Sequence, residues 1–174
     1  MDSSNIFNNF EEKPRLKAIF LDRDGVINHD PSDYTRNIDE FTILPTVIES
    51  LKILKERGYV FIIITNQGGI AKGIYGHDEV AEIHDYLREV CESNDTPILD
   101  IYYSPHHEVK GRSLSRKPGS LMVERACARY NIDPKISWMV GDKQRDIDCA
   151  AAVGVRGVLI NPNDALIDYI DKMV

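Results

Sequence analysis

At 174 residues with a formal net charge of −7, the chain is long enough to bury a layered core without disulfide bonds or a structural metal. The acidic balance, with no lysine-rich or arginine-rich run, argues against a surface that binds nucleic-acid phosphates. The polar start of the chain and the lack of a long apolar run argue against a secretion signal or a membrane span. The three cysteines lie singly within apolar or helical patterns, as reduced thiols do. We therefore expect a cytoplasmic monomer with no nucleic-acid and no membrane partner.

Strand and helix patterns alternate along the chain. Residues 1–14 are polar and predict a flexible tail, and residues 15–174 predict a single domain. Apolar runs bounded by turn residues predict strands at 16–21, 59–64, 98–103, 136–140 and 156–160. Helical spacing of apolar residues predicts helices at 46–57, 78–93, 120–130, 146–153 and 165–173. This order is typical of a three-layer α/β/α sandwich with a central parallel sheet, and no segment is long enough for an inserted cap domain.

Local signals also predict where the first helix and the two long loops lie. Thr46 is predicted to cap the first helix, with Glu49 completing a capping box and Gly58 ending the helix. The connection 28–45 is too irregular for a helix, and the segment 104–119 is a polar, basic loop. Without a cap domain, these two loops are the segments that would cover a site.

The first predicted strand ends in two carboxylates, Asp22 and Asp24, one residue apart. Like charges this close repel and raise each other's proton affinity, so a fold gains little from them unless a cation or a reaction needs them. A solvated turn is the alternative, since Asp and Gly are common in turns. The remaining strand ends bear on the choice between the two interpretations.

Polar residues also follow other strands, and parallel α/β sheets bind ligands at the carboxyl ends of their strands. Thr65 and Asn66 follow the second strand and Asp142 follows the fourth, while Arg116 and Lys117 precede a helix whose N-terminus attracts anions. Carboxylate oxygens suit Mg²⁺, which often shares a phosphate with one or two of them. A lysine and Mg²⁺ would neutralise a phosphate while one aspartate attacks phosphorus and another handles the proton. The set predicts phosphoryl transfer.

Four segments carry a resemblance to a known family, namely Asp22-Arg23-Asp24-Gly25-Val26-Ile27-Asn28, Thr65-Asn66-Gln67, Arg116-Lys117-Pro118 and Gly141-Asp142 followed by Asp146. In this order they resemble the motifs of the haloacid dehalogenase (HAD) superfamily of phosphatases. Within it, the chain is similar to the D-glycero-D-manno-heptose 1,7-bisphosphate phosphatase and histidinol-phosphatase branch. The resemblance spans residues 16–160 and implies a HAD-like, Rossmann-type fold and a phosphoric monoester hydrolase.

The resemblance also implies a role for each matching residue. Asp22 is the nucleophile, and Asp24 is first the general acid and then the base that activates water. Mg²⁺ is held by the side chains of Asp22 and Asp142 and by the backbone carbonyl of Asp24. Thr65 and Lys117 stabilise the transferred phosphoryl group, and Arg116 recognises the remote end of the substrate. The implied substrate contacts are Asp30, Tyr34, Thr65, Asn66, Gln67, Arg116, Lys117 and Lys143.

The chain departs from the family pattern in one loop. Many relatives carry a zinc site of the form Cys-x-His followed by Cys-x-Cys, and the matching positions here are Ser104, His106, Ser113 and Ser115. Serine hydroxyls are poor zinc ligands, so no structural zinc is expected. We expect hydrogen bonds and packing to hold this loop instead.

The substrate follows from the branch rather than from the residues. The resemblance favours a small phosphorylated sugar, heptose 1,7-bisphosphate cleaved at its C7 phosphate, within the synthesis of nucleotide-activated heptose for lipopolysaccharide. Histidinol phosphate is the alternative. A polynucleotide 3′-phosphate is disfavoured by the acidic balance, and a non-catalytic phosphate-binding role by the presence of Asp22, Asp24 and Lys117.

Several other polar residues have simpler interpretations. His29, His77 and His84 have no partner at ligand or triad spacing and predict surface or capping roles. Asp146 opens a helix, where negative charge is favourable, and is interpreted as a residue that orients Lys117 or a metal-bound water and not as a metal ligand.

Overall fold

A computed structural model describes residues 14–174, so the tail predicted for residues 1–14 lies outside the described residues except for Pro14. The described strands are β1 (Ala18–Leu21), β2 (Val60–Asn66), β3 (Ile98–Ser104), β4 (Trp138–Gly141) and β5 (Arg156–Leu159). The α-helices are α1 (Val47–Glu56), α2 (Gly69–Lys72), α3 (His77–Ser93), α4 (Leu121–Tyr130) and α5 (Gln144–Ala151). Short 3-10 helices cover Ile38–Glu40, Glu108–Lys110, Pro134–Ile136 and Leu166–Lys172.

The five strands pair in parallel in the order β3-β2-β1-β4-β5, which confirms the predicted fold class. Along β1, side chains alternate between the two faces of the sheet. Ile19 and Leu21 join a core with residues of α1, α3 and the segment Leu166–Lys172. Ala18 and Phe20 join a second core with residues of α4 and α5. Both faces are therefore covered, as the continuous apolar strands require.

The register brings the carboxyl ends of three strands together. Leu21, the last residue of β1, pairs with Ile63 of β2 and with Val140 of β4. The residues that follow these positions consequently emerge at one edge of the sheet. Among residues 14–174, no helix combines the length and the apolar character that crossing a membrane requires.

Some predicted helix details are wrong. Thr46 occupies the N-cap position of α1 as predicted, but its backbone is left-handed (φ +66°) and its side chain makes no capping bond. Its carbonyl instead accepts hydrogen bonds from the amide and the hydroxyl of Ser50. The C-terminal segment predicted as a helix winds as the tighter 3-10 helix Leu166–Lys172, and Gly69–Lys72, predicted as loop, forms one helical turn.

Candidate active site

Asp22 lies at the end of β1 and is buried, with 4% of its surface exposed. Its Oδ1 accepts a hydrogen bond from the Arg23 backbone amide at 2.7 Å. The same oxygen lies 2.8 Å from the ammonium nitrogen of Lys117. Both contacts use Oδ1, so Oδ2 is the atom that could bind a cation or attack phosphorus.

Lys117 is buried and has an acceptor for each of its three ammonium hydrogens. Its Nζ lies 2.8 Å from Asp22 and 2.7 Å from Asp146, and it donates to the Ile64 carbonyl at 2.6 Å. Asn66 fixes the backbone of the lysine, because its amide accepts from the Lys117 N–H at 3.0 Å and donates to the Lys117 carbonyl at 3.1 Å. The side chain of Asn66 thus positions Lys117.

Burial dominates the electrostatics of this pair. Burial raises the pKa of Asp22 to about 7, with Lys117 opposing the rise and Asp146 adding to it. Burial by itself lowers the pKa of Lys117, but Asp22 and Asp146 outweigh it and hold that pKa above its usual value. The ammonium group therefore stays charged between the two carboxyl groups.

Asp24 has both carboxylate oxygens hydrogen-bonded. Oδ1 accepts from Arg23 at 3.0 Å, from Asn28 at 3.0 Å and from Thr35 at 3.2 Å. Oδ2 accepts from the side chain of Gln67 at 3.0 Å. Burial raises the pKa of Asp24, yet the charge of Arg23 and these hydrogen bonds outweigh burial and leave that pKa below its usual value. The side chain is 26% exposed, so it can still reach a bound molecule.

Thr65 and Gln67 form the bridge from β2 to Asp24. The Gln67 side-chain nitrogen donates to the Thr65 hydroxyl oxygen at 2.9 Å as well as to Asp24. Because the Thr65 oxygen accepts this bond, its own hydrogen remains available to another acceptor. Gln67 is buried, and these contacts join its side chain to those of Thr65 and Asp24.

Asp142 follows β4, and its side chain lies close to the backbone of Gly25 in the first motif. A Cβ at Gly25 would lie 2.7 Å from Asp142 Oδ2, and Gly25 has a left-handed backbone (φ +84°). Only glycine fits this close approach without strain. Burial raises the pKa of Asp142, while the ammonium group of Lys143, which is hydrogen-bonded to it, opposes the rise.

Three carboxylates could hold a cation together, since one oxygen each from Asp22, Asp142 and Asp146 lie within 4.8 Å of one another. Oxygen ligands of this kind suit Mg²⁺. Asp146 is already engaged, by Lys117 at 2.7 Å and by the Lys143 backbone amide at 3.0 Å. Its place in the cluster therefore agrees with an orienting role, and the donor set of Asp22 and Asp142 fits Mg²⁺.

A cleft of about 350 Å³ opens above these residues. The predicted contacts that line it are Asp22, Asp24, Asp30, Tyr34, Asn66, Gln67, Arg116, Asp142 and Lys143. Thr65 and Lys117 lie beneath its floor, with 1% of each exposed. Sequence reasoning missed Lys72, Tyr75, His107 and Arg145, which also line the cleft. The basic character of 104–119 was the available signal for His107.

The rim of the cleft carries positive charge. Arg116 donates to the His106 carbonyl at 2.9 Å, and it lines the cleft together with Arg145. Burial lowers the pKa of Arg116, and the charge of Arg145 lowers it further. Burial likewise lowers the pKa of His107, with Lys72 and Arg116 adding to the effect. These cations raise the local potential in a protein whose net charge is −7.

The structure also bears on two further predictions, the surface position of His84 and the hydrogen bonding of the serine-substituted loop. His84 is not on the surface, because it is 6% exposed and its Nε2 lies 3.4 Å from the Arg23 guanidinium. In the serine-substituted loop, Ser115 Oγ lies 3.0 Å from Ser104 Oγ and 2.9 Å from Ser113 Oγ. Hydrogen bonds between hydroxyl groups thus join three of the four positions that hold zinc ligands in the family pattern.

Comparison with known proteins agrees with this geometry. A HAD-hydrolase-like family profile matches residues 114–164, the part that contains Lys117 and Asp142. A D-glycero-alpha-D-manno-heptose-1,7-bisphosphate 7-phosphatase of Photorhabdus laumondii is 38% identical over 81% of this chain and 80% of its own length. A D-glycero-beta-D-manno-heptose-1,7-bisphosphate 7-phosphatase of Haemophilus influenzae is 39% identical over 80% of this chain and 78% of its own.

Solved structures lead to the same group. The D,D-heptose 1,7-bisphosphate phosphatase of B. bronchiseptica, solved with magnesium and phosphate, has a TM-score of 0.79 at 29% identity, over 87% of this chain and 84% of that one. A HAD-like phosphatase of Mesorhizobium loti has a TM-score of 0.81 at 27% identity, over 92% and 87%. Fold and site thus define a phosphoric monoester hydrolase of the HAD type. The chain belongs to the D-glycero-D-manno-heptose 1,7-bisphosphate 7-phosphatase branch of the HAD superfamily.

Proposed function

We propose that the protein is a Mg²⁺-dependent phosphatase that removes the C7 phosphate of D-glycero-D-manno-heptose 1,7-bisphosphate through an aspartyl-phosphate intermediate. The observation that carries the chemistry is the pairing of Asp22 with Lys117 at 2.8 Å, beside Asp24 and Asp142. The observation that supports the substrate is the similarity to enzymes named for this activity. Those relatives are named for both anomers, so the preferred anomer is a matter for measurement.

The reaction would proceed in two steps. In the first, Asp22 Oδ2 attacks phosphorus, the phosphorus–oxygen ester bond breaks, and Asp24 gives its proton to the leaving oxygen. In the second, Asp24 takes a proton from water, the water oxygen attacks phosphorus, and the bond to Asp22 breaks to release phosphate. A substrate phosphate next to Asp24 would favour its protonated form, which counteracts its low pKa.

The remaining residues would bind and orient. The free hydrogen of Thr65 would contact a phosphoryl oxygen, and the positive charge of Lys117, held 2.8 Å from Asp22, would stabilise the negative charge that develops there. Mg²⁺, held by Asp22, the Asp24 carbonyl and Asp142, would supply further neutralisation of that charge. Asp30, Tyr34 and Lys143 would contact the sugar, since they line the cleft.

The positive rim supports a substrate with a second phosphate. Arg116 and Arg145 both line the cleft, burial and the charge of Arg145 lower the pKa of Arg116, and neither residue has a carboxylate ion pair among residues 14–174. A distal phosphate would relieve this repulsion through charge-assisted hydrogen bonds. Arg116 would hold the remote end of the bisphosphate there.

The deciding experiment is Mg²⁺-dependent phosphate release from the purified protein, with Asp22→Asn as the blank. We expect one anomer of heptose 1,7-bisphosphate to give a kcat/KM well above that of histidinol phosphate or of a 3′-phosphorylated oligonucleotide. Chelating Mg²⁺ should stop the reaction. A higher kcat/KM for histidinol phosphate or the oligonucleotide would overturn the substrate assignment, and substantial activity of Asp22→Asn would remove Asp22 from the nucleophile role.

A further inference from the structure

Arg23 stands between the two aspartates of the site, yet its side chain points into the protein. It is 1% exposed and is the largest fully buried side chain among residues 14–174. A guanidinium group keeps its charge inside proteins, so it must be matched by buried acceptors. None of the roles proposed above for the reaction uses this side chain.

The contacts of Arg23 fix the state of His84 on α3. The guanidinium Nη1 lies 3.4 Å from His84 Nε2. Because an arginine only donates hydrogen bonds, Nε2 must accept, and the imidazole is neutral with its hydrogen on Nδ1. Burial, followed by the charge of Arg23, lowers the pKa of His84 to about 3, which agrees with a neutral ring.

The same guanidinium fixes the orientation of Gln67. Its Nη2 donates to Gln67 Oε1 at 3.2 Å and to Asp24 Oδ1 at 3.0 Å. Tyr75 also donates to Gln67 Oε1, at 2.8 Å. The amide nitrogen must therefore face the other way, where it donates to Asp24 Oδ2 at 3.0 Å and to Thr65 at 2.9 Å. Arg23 holds one oxygen of Asp24 directly and the other through Gln67.

We propose that Arg23, seated on neutral His84 and on Gln67, is a positioning residue that aims the Asp24 carboxyl group at the leaving oxygen and at the attacking water. The inference rests on the acid and base role of Asp24 given under the proposed function. Proton transfer depends steeply on geometry, and a misplacement of about 1 Å can cost about 100-fold in rate. His84 contributes as the acceptor that keeps the guanidinium in place.

The test uses two substrates of similar shape that differ in their need for an acid. Phenyl phosphate has a poor leaving group, whereas the nitro group of p-nitrophenyl phosphate withdraws charge and makes its leaving group better. Single-turnover release of the two phenols reports the first step alone. A variant that merely loosens the fold slows both substrates equally, whereas misdirection of Asp24 slows phenyl phosphate more.

Two variants of His84 form a matched pair. His84→Leu removes the acceptor for Arg23, while the side-chain oxygen of His84→Gln can still accept. We expect His84→Leu to slow phenyl phosphate at least about 10-fold more than p-nitrophenyl phosphate, because general acid catalysis contributes about 100-fold or more. His84→Gln should restore most of this loss. Arg88→Gln, a change of a half-exposed side chain one turn further along α3, should leave both rates unchanged.

Each outcome bears on a different claim. Equal losses on the two substrates, or no advantage of His84→Gln over His84→Leu, would overturn the positioning role. If His84→Leu does not fold, Arg23→Lys takes its place, since one ammonium group cannot reproduce the planar contacts of the guanidinium. Asp24→Asn distinguishes failure of the positioning role of Arg23 from failure of the acid and base role of Asp24. If Asp24→Asn leaves phenyl phosphate turnover intact, the acid and base role of Asp24 itself is wrong.

Discussion

Replacing Lys117 with methionine tests the electrostatic design of the site. The change keeps an unbranched side chain but removes an ammonium group that lies 2.8 Å from Asp22 and 2.7 Å from Asp146 and donates to the Ile64 carbonyl at 2.6 Å. Removing one partner of a buried ion pair typically costs about 3–5 kcal/mol. At about 2–4 °C per kcal/mol for a domain of this size, Tm should fall by roughly 10 °C.

The loss should depend on pH in a defined direction. Without the lysine, Asp22 and Asp146 repel each other in a dry site, so the folded variant takes up protons more readily than the unfolded chain. The free energy of unfolding then falls as pH rises from the ordinary carboxyl pKa of 3.8 to the folded pKa and levels off above it. The folded pKa of Asp22 is about 7 with the lysine present, and it rises further when the lysine, which lowers it, is removed. The variant should be less destabilised at pH 5.5 than at pH 8.

Urea or thermal unfolding in the presence of a chelator measures both effects. The matched control is Lys55→Met, which breaks a pair with Asp95 at a similar 2.7 Å, but with side chains 39% and 90% exposed. An exposed pair of this kind is worth about 0–1 kcal/mol. Equal losses in the two variants, or a larger loss of Lys117→Met at pH 5.5 than at pH 8, would refute the argument.

Two further substitutions and one pH titration probe other parts of the site. Gly25→Ala should cost about 1–2 kcal/mol in unfolding experiments from its positive φ alone, and should also displace Asp142 and reduce Mg²⁺ affinity by calorimetry; wild-type affinity would show that the close approach is dispensable. The ring signals of His84 in NMR spectra should not shift between pH 4.5 and 8, because burial and Arg23 lower its pKa to about 3, and a midpoint near 6.5 would contradict its buried contact with Arg23. Between pH 6.5 and about 3 only the unfolded chain takes up this proton, so the contribution of His84 to the free energy of unfolding falls as pH falls through this range. Arg116→Ala should raise KM about 10-fold more for heptose 1,7-bisphosphate than for p-nitrophenyl phosphate, and equal increases would assign Arg116 to general phosphate binding.

The sequence was sufficient to place the residues to which we assign the reaction, because their positions follow from local patterns. A buried apolar strand ends where the chain turns polar, so Asp22, Thr65 and Asp142 could be assigned to strand ends without knowing the strand order. Parallel strands share one carboxyl edge, so their convergence followed. The capping bond predicted for Thr46 is absent because the backbone of Thr46 is left-handed where the chain enters α1. The residue types around Thr46 do not indicate this backbone conformation.

Only the tertiary structure decided which partner each polar group has. His84 resembles a surface histidine of an amphipathic helix, and it is buried because α3 packs against β3, where the His84 ring lies 5.6 Å from the ring of Tyr103, and because it meets an arginine 61 positions away. Arg23 likewise looks like the solvated residue of a turn, since the sequence does not tell which way its side chain points. Composition and spacing determine what chemistry a chain can offer at an edge of its sheet, whereas the hydrogen-bond partners of buried groups depend on packing between distant segments.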